Sequence, residues 1–202
     1  MTALSEIYAF IHSAEKLKNE LRHSFTSACR QESVAEHTWR MSLMAILLVS
    51  KLDKKVNFEK LMKMIVIHDI VEIEAGDTPV PFMLGNDLLK RQKEVREKNA
   101  IETIRRQLGN ELGEEFYHLW YEFEAQETYE AKVAYALDKL EVQIQHNEAD
   151  ITTWIPAEYE LIYSRRAYTE FDPVMDQLRA IIEQEAEEKL TAAGIPLRRP
   201  EE

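Results

Sequence analysis

Apolar positions along the chain fall into blocks of helical spacing, separated by short polar or Gly/Pro-bearing stretches. Leu4, Ile7, Tyr8, Ile11, Ala14 and Leu17 recur three and four apart, which predicts an amphipathic helix over residues 2 to 22. Residues 26 to 32 carry no period and read as a loop. Ser33-Val34-Ala35-Glu36 is a capping-box sequence, in which the serine hydroxyl and the carboxylate at the third helical position satisfy backbone donors reciprocally. It predicts a helix to about Leu52, with Val34, His37, Met41, Ala45 and Leu48 along one stripe. Asn57 can cap the next helix, whose run Leu61, Met62, Met64, Ile65, Val66 and Ile67 leads into His68 and ends near Gly76. Pro79, Pro81 and Gly85 make residues 78 to 86 a loop. A charged helix follows over 87 to 109, most of its Lys, Arg and Glu marking a solvated face. Gly109 and Gly113 bracket a break before a helix from Glu114 to about Phe123.

After Thr128 the pattern changes. Ala131, Val133, Ala134, Ala136, Leu137, Leu140, Val142 and Ile144 make that helix apolar almost all round, as expected for a helix in the middle of a bundle. Asp138 sits in its centre, with Lys139 and Glu141 its close charged neighbours. A carboxylate there needs a partner, in a salt bridge or a metal. The chain then reads as helical through the 160s. Asp172-Pro173 opens a last helix to about Ala193, followed by Gly194 and a short polar tail. No strand and no linker is expected, so residues 1 to 202 read as one all-α domain with a helical core over about 2 to 194.

Charge and cysteine content narrow the function. A formal net charge of −12 repels polynucleotides, whose binding is built from Lys and Arg, but leaves room for a small anion beside a few gathered basic residues. No apolar run is long enough to span a bilayer, and the N-terminus lacks the order of a signal peptide. The lone Cys29 excludes an internal disulfide and fits a cytoplasmic setting.

Three predicted helices each turn an unusual polar group toward an apolar interior: His37, then His68 with Asp69, then Asp138. A lone His37 also has an ordinary reading as a hydrogen-bonded core residue, and Met62 and Met64 read as core filling. Together, two imidazoles and two carboxylates form an inner shell for one divalent cation such as Zn, Mn, Fe or Co, with positions left for water or substrate. Glu72 stands one turn beyond His68, placed to hold a water at such a cation. Asp77 lies just past the helix end, within reach of the same cavity.

With these residues in place the chain resembles the HD-domain metal-dependent phosphohydrolases, and among them the HD-domain 5′-deoxynucleotidases. The likeness covers Leu17, Lys18 and Arg22, the stretch ESVAEHTWRM at 32 to 41, HDIVEIEAGDTPVP at 68 to 81, and LWYEFEAQETYEAKVAYALDKLE at 119 to 141. It implies an all-helical HD-domain bundle, a homodimer, a single divalent metal on His37, His68, Asp69 and Asp138, and hydrolysis of nucleoside 5′-monophosphates to nucleoside and phosphate. It gives Glu72 the attacking water, Asp77 the role of second catalytic acid, and Arg22 the phosphate. Where that family carries a tryptophan just after the arginine, this chain has His23, and Phe25 two further on. Either could take over packing against the nucleoside. Lys93, and Lys90 beside it, can face the phosphate, or belong to a solvated face. Binuclear members need extra histidines between the motifs, and residues 38 to 67 and 70 to 117 contain none. Rival readings are an HD enzyme acting on di- or triphosphates or cyclic nucleotides, and a non-catalytic nucleotide-binding module. Trp154, Ile155, Tyr159 and Ile162 are candidate dimer-interface residues, or simply close the core.

Overall fold

The frame is set by helix caps that are local in sequence. Ser33 accepts from the Glu36 N–H while the Glu36 carboxylate accepts from the Ser33 N–H at 2.9 Å, the complete capping box, and it starts α2 (Val34–Leu48). Asn57 caps α3 (Phe58–Ile67), and Thr128 caps α8 (Tyr129–Glu148) through the Ala131 N–H. α8 is the central rod. Ala131, Ala134, Ala136, Leu137 and Leu140 are fully buried, and the alanines let α2, α3 and α7 (Asn110–Ala125) pack closely around it. α11 (Pro173–Ala192) covers its remaining side, started by Asp172, whose carboxylate accepts from two backbone N–H groups of the first turn. α1 (Ala3–Ala14) and α6 (Asp87–Leu108) pack on each other at the edge of this bundle. The computed structural model describes residues 3–199. Residue 2, where the sequence reading starts the first helix, and residues 200 to 202 of the polar tail lie outside the described residues.

Four expectations are corrected. The helix predicted over 2 to 22 stops at Ala14 and tightens into a 3₁₀ turn over Glu15–Lys18. The chain then forms a two-stranded antiparallel ribbon, β1 (Leu21–Phe25) with β2 (Gln31–Ser33), where no strand was expected. Leu21 pairs with Ser33 and Phe25 with Gln31, so β1 carries extra residues between the two pairings. Such a bulge breaks the alternation of side chains.

The second correction concerns the helix expected to run from Asn57 to Gly76. α3 ends at Ile67, and tight turns over residues 68 to 71 follow, with Ile70 N bonded to Ile67 O and Glu72 N to Asp69 O. Only then does α4 (Glu72–Ala75) form, closed by Gly76 at φ 70°, ψ 156°, a conformation open to glycine. Third, the loop over 78 to 86 contains the short α5 (Val80–Met83). Fourth, Gly113 is not a break. It lies inside α7, where an added Cβ would sit 2.3 Å from the Arg105 carbonyl oxygen, so glycine there permits the close approach of α6 and α7.

Beyond α8 the chain makes α9 (Glu158–Leu161) and α10 (Arg166–Thr169), separated by a 3₁₀ turn. Here Trp154 and Ile162 join Ala186 and Leu190 in a small second core, so two of the four residues considered for a dimer interface are buried within the chain. Exposed apolar residues lie elsewhere, with Trp39, Leu43, Ile46 and Leu47 along α2 and Leu4, Tyr8 and Ile11 along α1. Among the described residues no helix is long and apolar enough to cross a membrane.

Candidate active site

His37 is in the first turn of α2, His68 caps the C-terminus of α3, Asp69 lies in the turn after it, and Asp138 is in the middle of α8. The turn is what gathers them. On a continuous helix Asp69 would point about 100° from His68, whereas here Asp69 Oδ2 is 3.0 Å from His68 Nε2 and 3.9 Å from His37 Nε2. Asp138 Oδ1 is 3.2 Å from His37 Nε2.

Both imidazoles are held from behind. Nδ1 of His37 bonds the Glu141 carboxylate, and Nδ1 of His68 bonds the Ile65 carbonyl at 2.7 Å. Each ring therefore turns Nε2 inward, where it is buried with no hydrogen-bond partner. An imidazole held by an acceptor on one nitrogen and bare on the other is the arrangement found in metal-ligating histidines. Ligand atoms of His37, His68 and Asp69 all lie within 4.8 Å of one another. Asp138 stands a little outside this trio, its other oxygen 2.7 Å from Lys139 Nζ. The donor set fits a borderline divalent cation. Glu32, His37 and Glu141 form a second close trio on the other side of the His37 ring. Guanidinium groups already fill the positive role there, with Arg40 Nε 2.7 Å from Glu141 and Arg22 Nε 3.5 Å from Glu32.

The electrostatics are those of carboxylates crowded together and removed from water. Burial, with Asp69 and Asp77 nearby, pushes the Glu72 carboxyl up to about 10. Burial also raises Asp77, against the pull of Arg22. Burial opposes ionisation of Asp138 and Asp69 too. Lys139 and His37 outweigh it at Asp138, and His68, Arg22 and His37 at Asp69, so both stay well below the usual carboxylate range. At His37, burial and Arg22 disfavour the cation, but Glu141 and Asp138 overcome them and push it up to about 9.

These groups line one end of a cavity of about 440 Å³ that contains Arg22, Asp69, Glu72, Asp77, Lys93 and Asp138. Glu72 is buried, with Oε2 lacking any partner. Asp77 is positioned by its N–H, which donates to Glu20 Oε1 at 2.9 Å. Arg22 Nη1 is 3.3 Å from Asp69. Lys93 lines the cavity but pairs with Glu97. The β1 bulge presents Arg22, His23 and Ser24 consecutively to the cavity, which a regular strand would not do. Phe25 is not brought there; its carbonyl is tied to Gln145 at 2.7 Å.

The far end holds His23, His146, Glu158 and Arg165. Glu158 Oε1 lies 3.2 Å from both His23 Nε2 and His146 Nε2. The sequence reading missed Glu158, His146 and Arg165, and it named Lys139 and Glu141 only as charged neighbours of Asp138, without a role at His37. Glu141 and Arg40 were within reach, three residues after Asp138 and His37, on the same helix faces.

The HD domain family model matches residues 14–190. Human 5′-deoxynucleotidase HDDC2 is 30% identical over 165 residues, covering 82% of this chain and 78% of that protein. The zebrafish (Danio rerio) protein of the same name is 39% identical over 117 residues, 58% of this chain and 55% of that one. A solved structure from Magnetospirillum magnetotacticum MS-1, described as a "predicted metal-dependent phosphohydrolase", superposes with a TM-score of 0.76 at 30% identity, over 95% of this chain and 97% of that one. The histidines and aspartates gathered above thus sit in a chain that belongs to the HD-domain family.

Proposed function

We propose that the protein is a divalent-metal-dependent phosphohydrolase that converts deoxyribonucleoside 5′-monophosphates to nucleoside and phosphate. The observation that carries the reading is the pair of buried, unpartnered Nε2 atoms of His37 and His68 facing Asp69 and Asp138, at the end of a nucleotide-sized cavity. His37, His68, Asp69 and Asp138 would hold one cation, which when bound acidifies water and neutralises charge on phosphoryl oxygens. The chain's own groups do the rest. Arg22 offers a guanidinium fork to the phosphate from the β1 bulge. Glu72 takes the proton of the attacking water. Burial and two neighbouring acids hold its carboxyl neutral, and added positive charge in the site acts the other way, freeing it as a base. As water adds to phosphorus, the bond to the 5′-oxygen breaks, and Asp77, which lines the cavity, hands that oxygen a proton. Lys93 adds positive potential that lowers both carboxyls.

The same proposal includes a cytoplasmic setting, for which the lone Cys29 is the support, and a homodimer. Trp39, Leu43, Ile46 and Leu47 on α2 supply one exposed apolar face that a two-fold contact could use. The test is phosphate release from a panel of nucleoside mono-, di- and triphosphates by chelator-treated protein, with Zn, Mn, Fe and Co restored in turn. Metal-dependent release from deoxyribonucleoside monophosphates is expected. Release only from triphosphates or cyclic nucleotides, or release indifferent to metal, would overturn the reading.

A further inference from the structure

Adjacent residues on a helix point about 100° apart, so Lys139 leaves α8 on a different side from Asp138. It nevertheless returns. Its flexible stem brings Nζ to 2.7 Å from Asp138 Oδ2. The ammonium also stands 4.5 Å from the centroid of the Tyr135 ring, one turn earlier on the same helix face. That ring is packed in turn, its centre 5.5 Å from that of Phe123 and 5.1 Å from that of Tyr168. A lysine on a solvated helix face extends into water. The Lys139 side chain is only 26% exposed, and it lines the cavity together with Asp138.

The bond divides the Asp138 carboxylate between two tasks. Oδ1 is 3.2 Å from His37 Nε2, among the proposed metal ligands, and Oδ2 is on Lys139. An ammonium carries three N–H donors. Among the described residues Asp138 is the one hydrogen-bond acceptor that Lys139 meets, so at least one donor remains after Asp138 and the Tyr135 ring are served. Lys93, the other lysine lining the cavity, pairs with Glu97, four residues on along its own helix. Lys139 is thus the lysine whose partner is itself a member of the metal end.

We propose that Lys139 is a catalytic residue that donates to a non-bridging oxygen of the substrate's phosphoryl group, so that Lys139 from α8 and Arg22 from the β1 bulge hold the phosphate between them. The proposal rests on the phosphohydrolase reading, which brings a phosphate to the end of the cavity where Asp138 lies. Phosphoryl transfer spreads negative charge over three such oxygens, and donors already in place around them stabilise it. The contact is made to the part that all nucleotides share, and it is therefore indifferent to the base.

The experiment measures calorimetrically how inorganic phosphate, the common product, binds to metal-saturated wild type, Lys139→Met and Lys139→Gln. Methionine keeps the stem over the Tyr135 ring and removes the charge. Glutamine can still donate to Asp138 through its amide, which spares the fold an unpaired buried carboxylate. Elemental analysis checks that each sample holds its metal, and chelator competition gives the metal affinity separately. Phosphate affinity is expected to fall roughly ten- to a hundredfold in both variants, the range of one charge-assisted contact. The value of kcat/KM should fall with it, alike for every nucleoside monophosphate. Unchanged phosphate affinity in metal-filled variants, with metal affinity alone reduced, would make Lys139 a support for Asp138 and overturn the proposal. Variants that cannot be filled with metal, or that do not fold at all, would assign Lys139 to that same supporting role and overturn it equally. A wild type that releases phosphate from no nucleotide with any metal would instead strike the phosphohydrolase reading itself.

Discussion

The two ends of the cavity handle buried charge differently. At the metal end, acids crowd together: Asp69, Glu72, Asp77 and Asp138 stand against Arg22 and Lys139, and two imidazoles turn bare nitrogens among them. Positive charge is what that end lacks. At the far end Glu158 Oε1 lies 3.2 Å from two imidazoles, and Glu158 Oε1, His23 Nε2 and Arg165 Nε are all buried without a hydrogen-bond partner. That end holds donors and acceptors of both signs. In the proposed reading a nucleoside monophosphate brings its cation to one end and its base to the other. Recognition in this protein is thus expected to be split into a part common to all substrates and a part that sorts them.

The strongest way to break that division is to remove a member of the metal end. Asp138→Ala and His68→Ala should lower metal content from about one ion per chain toward zero and abolish turnover, since removing one of four ligands leaves the others incomplete. Elemental analysis at full occupancy in either variant would remove the residue from the ligand set.

Glu72→Ala sharpens the comparison within one end. It should keep its metal and lose roughly 10²–10⁴-fold in kcat, the range for a positioned acid–base group. Loss of metal instead would make Glu72 a ligand.

Glu141 reaches the same site at one remove. Its carboxylate holds His37 Nδ1 and is itself held by Arg40 at 2.7 Å. Glu141→Gln should weaken metal binding by roughly 10–100-fold, as outer-shell changes do, measured by competition with a chelator of known affinity. Unchanged affinity would assign Glu141 to the core ion network alone.

These variants also mark how far the sequence could be read. The caps at Ser33, Asn57, Thr128 and Asp172 were legible because a cap is a contact within three or four residues. Asp69 and Asp138 were legible because a carboxylate in an apolar run needs an explanation. β1 and β2 were not, since five- and three-residue strands joined through a bulge show no alternation. Gly113 read as a break because its reason, the Arg105 carbonyl on another helix, is a tertiary contact. Arg165 and Glu158 lie in a stretch rich in charge, where they look like solvated surface. Only the fold of α9 and the turn after it against α8 buries them.

The smallest expected effect concerns the far end and its pH dependence. The His23 imidazole is raised, first by its bond to Glu158, at 3.2 Å. A histidine whose folded value lies above its unfolded one contributes stability fully below the unfolded value of about 6.5 and loses it as pH rises through the folded value. Wild type should therefore melt above His23→Ala in mildly acidic buffer, and the gap should narrow as the pH climbs past the raised value. His23 also meets Phe82 edge to face at 5.2 Å between ring centres, a packing contact indifferent to protonation. The difference in melting temperature between the two proteins, followed across pH, separates the two contributions. A gap that stays constant into alkaline buffer would show that packing alone is at stake. In that case Glu158 would not depend on a charged His23.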